Sequence, residues 1–254
     1  MPSPSVKRLL LLETPWTPRR LPTLQAWYKS NRLPLADAVA VTSMADQSPN
    51  ANTLSQGTGA NQFTFVANGQ NSKGVIRSDG GDFMTAADSA SLDAITGNVG
   101  VFAVVVTPAS FAGSPGLMTK GLSGARGAFA LYVSTTGLIN AQIRGNLVDR
   151  TVAASGMAPL SVSTAYALGF TWAPETHRFY VAGTLVDTQA NADSNTSMKT
   201  DGAGLIVGGL TAAGGNNWTG DIAELVIVGS AATTPMDAAD RGKLFSYFLR
   251  EWGV

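Results

Sequence analysis

The sequence predicts an all-β protein: two antiparallel sheets packed face to face as a sandwich, with an extended N-terminal arm and one short C-terminal helix. Three observations carry this. Tyr166, Leu168, Phe170 and Trp172 alternate with Ala167, Gly169 and Thr171, which puts four bulky side chains on one face of a strand. Val99 to Thr107 is apolar on both faces, the pattern of a strand covered on both sides. Turn residues, including many of the 28 glycines, recur at short spacing with no helical periodicity between strands, which favours a sandwich over a parallel α/β sheet.

The elements follow in chain order. Residues 1–22 carry Pro2, Pro4, Pro15, Pro18 and Pro22 around Trp16, and proline at this density blocks helix and central strand alike. Such an arm needs a surface to lie on, either its own sheet or a neighbouring subunit. The domain proper spans 23–254. Leu24 to Tyr28, Phe63 to Val66, Val75 to Arg77, Val99 to Thr107 and Leu117-Met118 read as strands. So do Phe129 to Val133, Leu138 to Arg144, Tyr166 to Trp172, Arg178 to Val181, Thr184 to Asp187, Leu205 to Val207 and Ile222 to Val228. Ala173 to Thr176 forms one turn and Ala182-Gly183 a tight hairpin turn. The helix runs from Pro235 to Trp252, with Thr234 at the N-cap, Pro235 at the first helical position and Asp237 as the capping-box acid. Leu244, Phe245, Phe248, Leu249 and Trp252 share one face, and Gly253 ends it.

Composition narrows the function classes. The 254 residues fit one sandwich domain, since these reach roughly 200–250 residues. Charged residues make up 13%, against about 25% in an average soluble domain. Seventeen basic and 17 acidic residues cancel, leaving no footprint for nucleic acid; Lys7-Arg8 and Arg19-Arg20 read as solvated or partner-facing charges. No run approaches the ~20 apolar residues of a membrane span. Cysteine is absent, which points to assembly in the cytosol. Leu9 to Leu12 is too short for the roughly 7–15-residue core of an export signal, so none is expected.

The order of motifs resembles the laminin-G-like domains of the concanavalin-A-like superfamily, of the kind found in tailed-phage virion proteins. Leu24-Gln-Ala-Trp27, Ala45-Asp-Gln-Ser48, Arg77-Ser-Asp-Gly-Gly-Asp-Phe83 and Gly100 to Val106 carry the resemblance, followed by Phe179-Tyr-Val-Ala-Gly183 and Gly220-Asp-Ile-Ala-Glu224 before the final helix. Ala182 departs from the usual hairpin Asn. The resemblance implies a jelly roll and a non-enzymatic virion structural protein, in capsid decoration or on the tail. Its arm would join other virion proteins, its domain would face a cell-surface glycan, and copies of the chain would associate. The alternative is a free carbohydrate-binding module or a bacterial surface adhesin.

Some members of that superfamily are glucanases, which need converging carboxylates. Here Asp221 and Glu224 are three apart, and in a regular strand they point to opposite faces; Asp221 reads as turn-associated and Glu224 as structural. His177, the only histidine, reads as a surface residue in a turn. No Cys or His spacing suits a metal. Calcium, bound by loop oxygens, has Asp79 and Asp82 as its best pair, although both also suit a turn around Gly80-Gly81, the favoured reading. The Gly-rich stretch at 208–215 lacks the Lys-Ser/Thr of a phosphate loop. For a sugar, Asn216, Asn217 and Trp218 with Arg126 offer amides, a cation and a stacking ring; Trp218 packed under its loop is the favoured reading of that residue.

Overall fold

The computed structural model describes residues 15–121, 128–174, 176–190, 194–200, 202–211 and 215–254. Its strands are β1 (Leu24–Lys29), β2 (Ser43–Met44), β3 (Leu54–Ser55), β4 (Thr64–Val66), β5 (Val75–Asp79), β6 (Met84–Ala86), β7 (Asn98–Val106) and β8 (Gly116–Lys120). There follow β9 (Phe129–Val133), β10 (Ile139–Arg144), β11 (Asp149–Ala153), β12 (Ala165–Ala173), β13 (Thr176–Val181), β14 (Thr184–Ala190), β15 (Leu205–Val207) and β16 (Thr219–Ser230). Among the described residues there are two α-helices, the single turn α1 (Ala90–Asp93) between β6 and β7 and α2 (Ala238–Trp252) after the last strand. The first sheet runs β14-β13-β12-β7-β16-β5-β4, with β1 also on β16; the second runs β11-β10-β9-β8-β15-β6-β3-β2. All strand pairings between these elements are antiparallel, as a jelly-roll sandwich requires.

The predicted alternation sets the inner face. Leu168, Phe170 and Trp172 of β12 are buried between the sheets together with Val99, Val101, Ala103 and Val105 of β7. The opposite face of the first sheet is buried as well. Phe102, Val104, Ala167, Val226 and Val228 pack against Leu244, Phe245, Tyr247, Phe248 and Trp252 of α2. This second cover explains why β7 and β16 are apolar on both faces, because both sides are withdrawn from water. Gly169 permits the close approach: a Cβ there would lie 2.8 Å from Phe102 and 3.0 Å from Phe245.

Helix α2 starts later than expected. Its N-cap is Asp237, whose carboxylate accepts from the Ala239 and Asp240 amides, and Thr234 and Pro235 precede it. A carboxylate at this position both satisfies orphan amides and suits the positive end of the helix. Gly253 closes the helix with φ 77°, as expected. Leu249 is corrected too: it is 61% exposed. The helix flank that is covered instead bears Tyr247, which meets the edges of Trp16 and Trp27 at 6.1 and 6.5 Å between ring centroids. The described end of the arm thus lies on the domain's own helix, held also by Arg250 Nη2 donating to the Trp16 carbonyl. The arm residues before Pro15 lie outside the described residues.

A β-bulge alters β16. Ile222 pairs with Val105 and Glu224 with Val104, leaving Ala223 as the extra residue. Asp221, opposite Val106, therefore shares a face with Glu224. The opposite-face expectation held for a regular strand; one inserted residue reverses it.

Candidate functional site

A cleft of about 610 Å³ lies at the β4 edge of the first sheet, where the segments 37–40 and 59–62 meet β4, β5 and the 79–82 turn. Residues 38–41 zip onto β4 through Ala38 N to Phe65 O, Phe65 N to Val39 O and Val41 N to Phe63 O, each 2.8 Å. These bonds fix one wall. The other begins at Arg77, which pairs across the sheet with Asp221. Its Nε donates to Asp221 Oδ1 at 2.6 Å and its Nη2 to Oδ2 at 2.9 Å, a bidentate geometry that holds the guanidinium flat. The bond to Asp221 raises the Arg77 pKa further, with help from Asp37.

At the mouth, the 79–82 turn is built from its own side chains. Asp79 Oδ1 accepts from Gly81 N at 2.9 Å, and Asp82 Oδ2 accepts from Asp79 N at 3.0 Å. Asp82 is 5% exposed; burial pushes its carboxyl pKa up, and the neighbouring Asp79 charge adds to that, against the bond from the Asp79 amide. The turn reading of Asp79 and Asp82 describes this geometry. Among the described residues no group of three or more His, Cys, Asp or Glu side chains comes together as a metal site. Gln62 and Thr64 add an amide and a hydroxyl to the lining, and Ala38 and Ala60 exposed apolar groups, while the Phe65 side chain is buried in the inner core. Hydroxyl- and amide-binding groups beside apolar patches are what a sugar ring, polar at its rim and apolar on its faces, can use.

The carboxylates of β16 serve other ends. Glu224 is fully buried beneath α2. Its Oε1 accepts from Trp27 Nε1 at 2.5 Å, and its Oε2 from Trp252 Nε1 at 2.5 Å and Tyr247 Oη at 3.2 Å. Burial raises its pKa to about 7, in opposition to these bonds and the Lys29 charge. Lys29 itself, 5% exposed, bridges to Glu251 at 2.9 Å. Glu224 is thus the structural residue the sequence suggested. Asp221 is tied to Arg77 and stands in the middle of the sheet pairing, beyond the turn assigned to it.

Two further expectations change. His177 is fully buried in β13 opposite Trp172, its ring stacked 6.1 Å from Phe170. Strand β13 already begins at Thr176, so strand register carries His177 inward. Trp218 is fully buried within the inner core, so it presents no ring face to a sugar; the packing reading describes it and the stacking role is corrected. Alternation on the lead-in to β16 turns it between the sheets. Asn217 is 8% exposed, and its side-chain amide has no hydrogen-bond partner among the described residues. Asn216 is exposed with φ 56°, and its carbonyl accepts from Gly116 N at 2.7 Å. Arg126 lies outside the described residues. No sequence pattern marks the cleft at β4, although Arg77 to Asp82 belong to one of the motifs that carry the resemblance.

Residues 78–235 match the family model described as the concanavalin A-like lectin/glucanases superfamily. Comparison with curated proteins finds no match. Among solved structures, domain 4 of AbnA, an extracellular arabinanase from Geobacillus stearothermophilus in complex with arabinotriose, aligns with TM-score 0.59 and 12% identity, over 87% of this chain and 98% of that one. The binding domain of Paraclostridial Mosquitocidal Protein 1 aligns with TM-score 0.60 and 14% identity, over 89% of this chain and 52% of the other. Trypanosoma rangeli sialidase in complex with sialic acid gives 0.55 and 12%, over 87% of this chain and 32% of the other. At these identities the likeness is one of fold. The chain spans about half of the mosquitocidal binding domain and a third of the sialidase.

Proposed function

The chain belongs to the concanavalin A-like lectin/glucanase superfamily, and from that premise we propose that it is a non-catalytic glycan-recognition domain. The observation that carries this is the β4-edge cleft, with its amide, hydroxyl and charged groups beside exposed apolar ones. The likeness over nearly the full length of a domain seen with arabinotriose supports it. Fold alone does not give chemistry, and the carboxylates of β16 that a glucanase reading would recruit are enclosed under α2 or locked to Arg77. The test is binding to a panel of oligosaccharides, compared between the native chain and Thr64→Trp, whose bulk fills the cleft. Binding lost in that variant, with folding intact, supports the reading; binding unchanged refutes it.

Asn216, exposed on its loop, is a separate contact point within the proposal, tested by Asn216→Ala. The finer setting, a phage particle bearing the domain through its arm, rests on the sequence resemblance alone. Mass spectrometry of purified virions tests it, as does incorporation of a chain lacking residues 1–22.

A further inference from the structure

The chain as a whole is neutral, yet its charges are segregated. At the C-terminal half of α2 two carboxylates, Glu224 and Glu251, stand among several cations, and both are engaged. Glu224 is enclosed by its indole and phenol donors, and Glu251 is shared by Lys29 at 2.9 Å and Lys73 at 3.1 Å. The cations left over are arginines. Arg19, Arg32 and Arg250 are exposed and pair with no carboxylate among the described residues. They meet on the flank of α2 that bears Tyr247. The Arg250 guanidinium lies 5.5 Å from the Tyr247 ring centroid and donates to the Trp16 carbonyl at 2.9 Å. The Arg32 charge acts on the Tyr247 phenol, and Arg19 follows Trp16 in the turn Pro18–Arg20.

The backbone beneath these side chains is fixed. Pro18 and Leu21, on either side of Arg19 and Arg20, are buried. The turn Ser30–Arg32 is tied down where the buried Ser30 Oγ lies 2.6 Å from Gly74 O and 2.7 Å from Ala223 O. A cation in the last turn of a helix suits the dipole, which accounts for Arg250 but not for Arg19 and Arg32, which lie outside that helix. Next along α2 from Arg250, Leu249 is 61% exposed, and Trp16 is half-buried beside them. We propose that this face binds an acidic segment of another polypeptide, whose carboxylates pair with the three arginines and whose apolar side chain covers Leu249. Guanidinium groups take carboxylates in bidentate fashion. Arginine and tryptophan are also the residues that dominate protein interfaces, where lysine is depleted; here the lysines are neutralised internally and the arginines are not. A phosphodiester chain would use the charges and leave Leu249 in water. The arm ahead of Pro15 offers Glu13 against Lys7 and Arg8, so its sequence cannot neutralise the face.

The experiment is calorimetric titration of the full chain at low salt with a short synthetic peptide of glutamates and leucines, the same peptide with serine in place of leucine, and duplex DNA of equal charge. The leucine peptide should bind at least about tenfold tighter than the other two, a difference of ~1.4 kcal/mol, and its affinity should fall as salt screens the face. Arg19→Glu combined with Arg32→Glu, at two exposed positions without ion pairs, should weaken that binding by at least about tenfold and leave the unfolding midpoint in place. Leu249→Ser should cancel the advantage of the leucine peptide over the serine one. Unchanged affinity in the double variant, or no binding of either peptide, overturns the inference. Equal binding of the serine peptide overturns the apolar contact, and tighter binding of DNA overturns the choice of a polypeptide. Salt-sensitive self-association of the chain, lost in the double variant, overturns it by giving the face to a second copy.

Discussion

Replacing Glu224 with Gln tests the interior of this domain at its most exacting point. Both carboxylate oxygens accept from buried donors, two indole N–H groups and one phenol. A Gln amide keeps one oxygen and turns the other into a donor. Whichever way it lies, its NH2 faces an indole N–H that has lost its acceptor. Each buried group left unsatisfied costs about 1–3 kcal/mol, so Glu224→Gln should destabilise by about 2–5 kcal/mol. The pH dependence is the sharper readout. Burial raises the Glu224 pKa from 4.5 to about 7, so between those values the folded protein binds more protons than the unfolded chain. Stability from this group is therefore greatest at the acid end and falls as pH rises through that window. At ~1.4 kcal/mol for each pH unit the fall amounts to about 3 kcal/mol. Gln does not titrate. Urea unfolding followed by tryptophan fluorescence across this range should show the gap between native and Glu224→Gln narrowing as pH rises. A gap that stays constant or widens would refute the reasoning, because it would mean that the three donors and Lys29 outweigh burial and hold the carboxylate ionised.

Other substitutions separate packing from binding. Trp218→Ala should destabilise by ~3–5 kcal/mol, measured by thermal or chemical unfolding, since the ring is fully buried. Ala182, at φ 47° in the β13–β14 hairpin, occupies a turn position that favours Asn or Gly; Ala182→Asn should raise stability by about 0.5–1 kcal/mol. Leu249→Ser should change unfolding free energy by less than about 0.5 kcal/mol, because Leu249 lies open to solvent. Gly169→Ala should cost ~1–3 kcal/mol by overpacking and lower the melting temperature, since Phe102 and Phe245 already occupy the space.

Strands whose pattern depends on local alternation were legible in the sequence. The period-two run of β12 and the doubly apolar β7 show their burial directly, and the Ala182-Gly183 turn sits between β13 and β14 as expected. Pieces defined by contacts distant in sequence were not. Strand β11 is largely polar, with a burial pattern of an exposed edge, so no hydrophobic signal marks it. Strands β2 and β3 are two residues each, too short for any period. Leu249 and Tyr247 exchange burial because Trp16, 231 positions upstream of Tyr247, covers one flank of α2 and nothing among the described residues equally covers the other. The cleft escaped notice for a similar reason. Its residues come from segments near 37, 60, 64 and 80, and only the sheet pairing and the strapping of 38–41 onto β4 bring them together.

The extra residue at Ala223 gives β16 two phases. Before it, the outer side of the strand carries Asp221, which holds Arg77 of the cleft lining; after it, the same side is the seat of α2, with Glu224 as its anchor. The pairing register between these two carboxylates therefore carries information that residue identity does not. A relative with the same Gly-Asp-Ile-Ala-Glu sequence in a regular, unbulged strand would present one carboxylate to the opposite side of the sheet. Motif matches across this strand need to be phased on both sides of position 223 separately before a role is transferred from one chain to another.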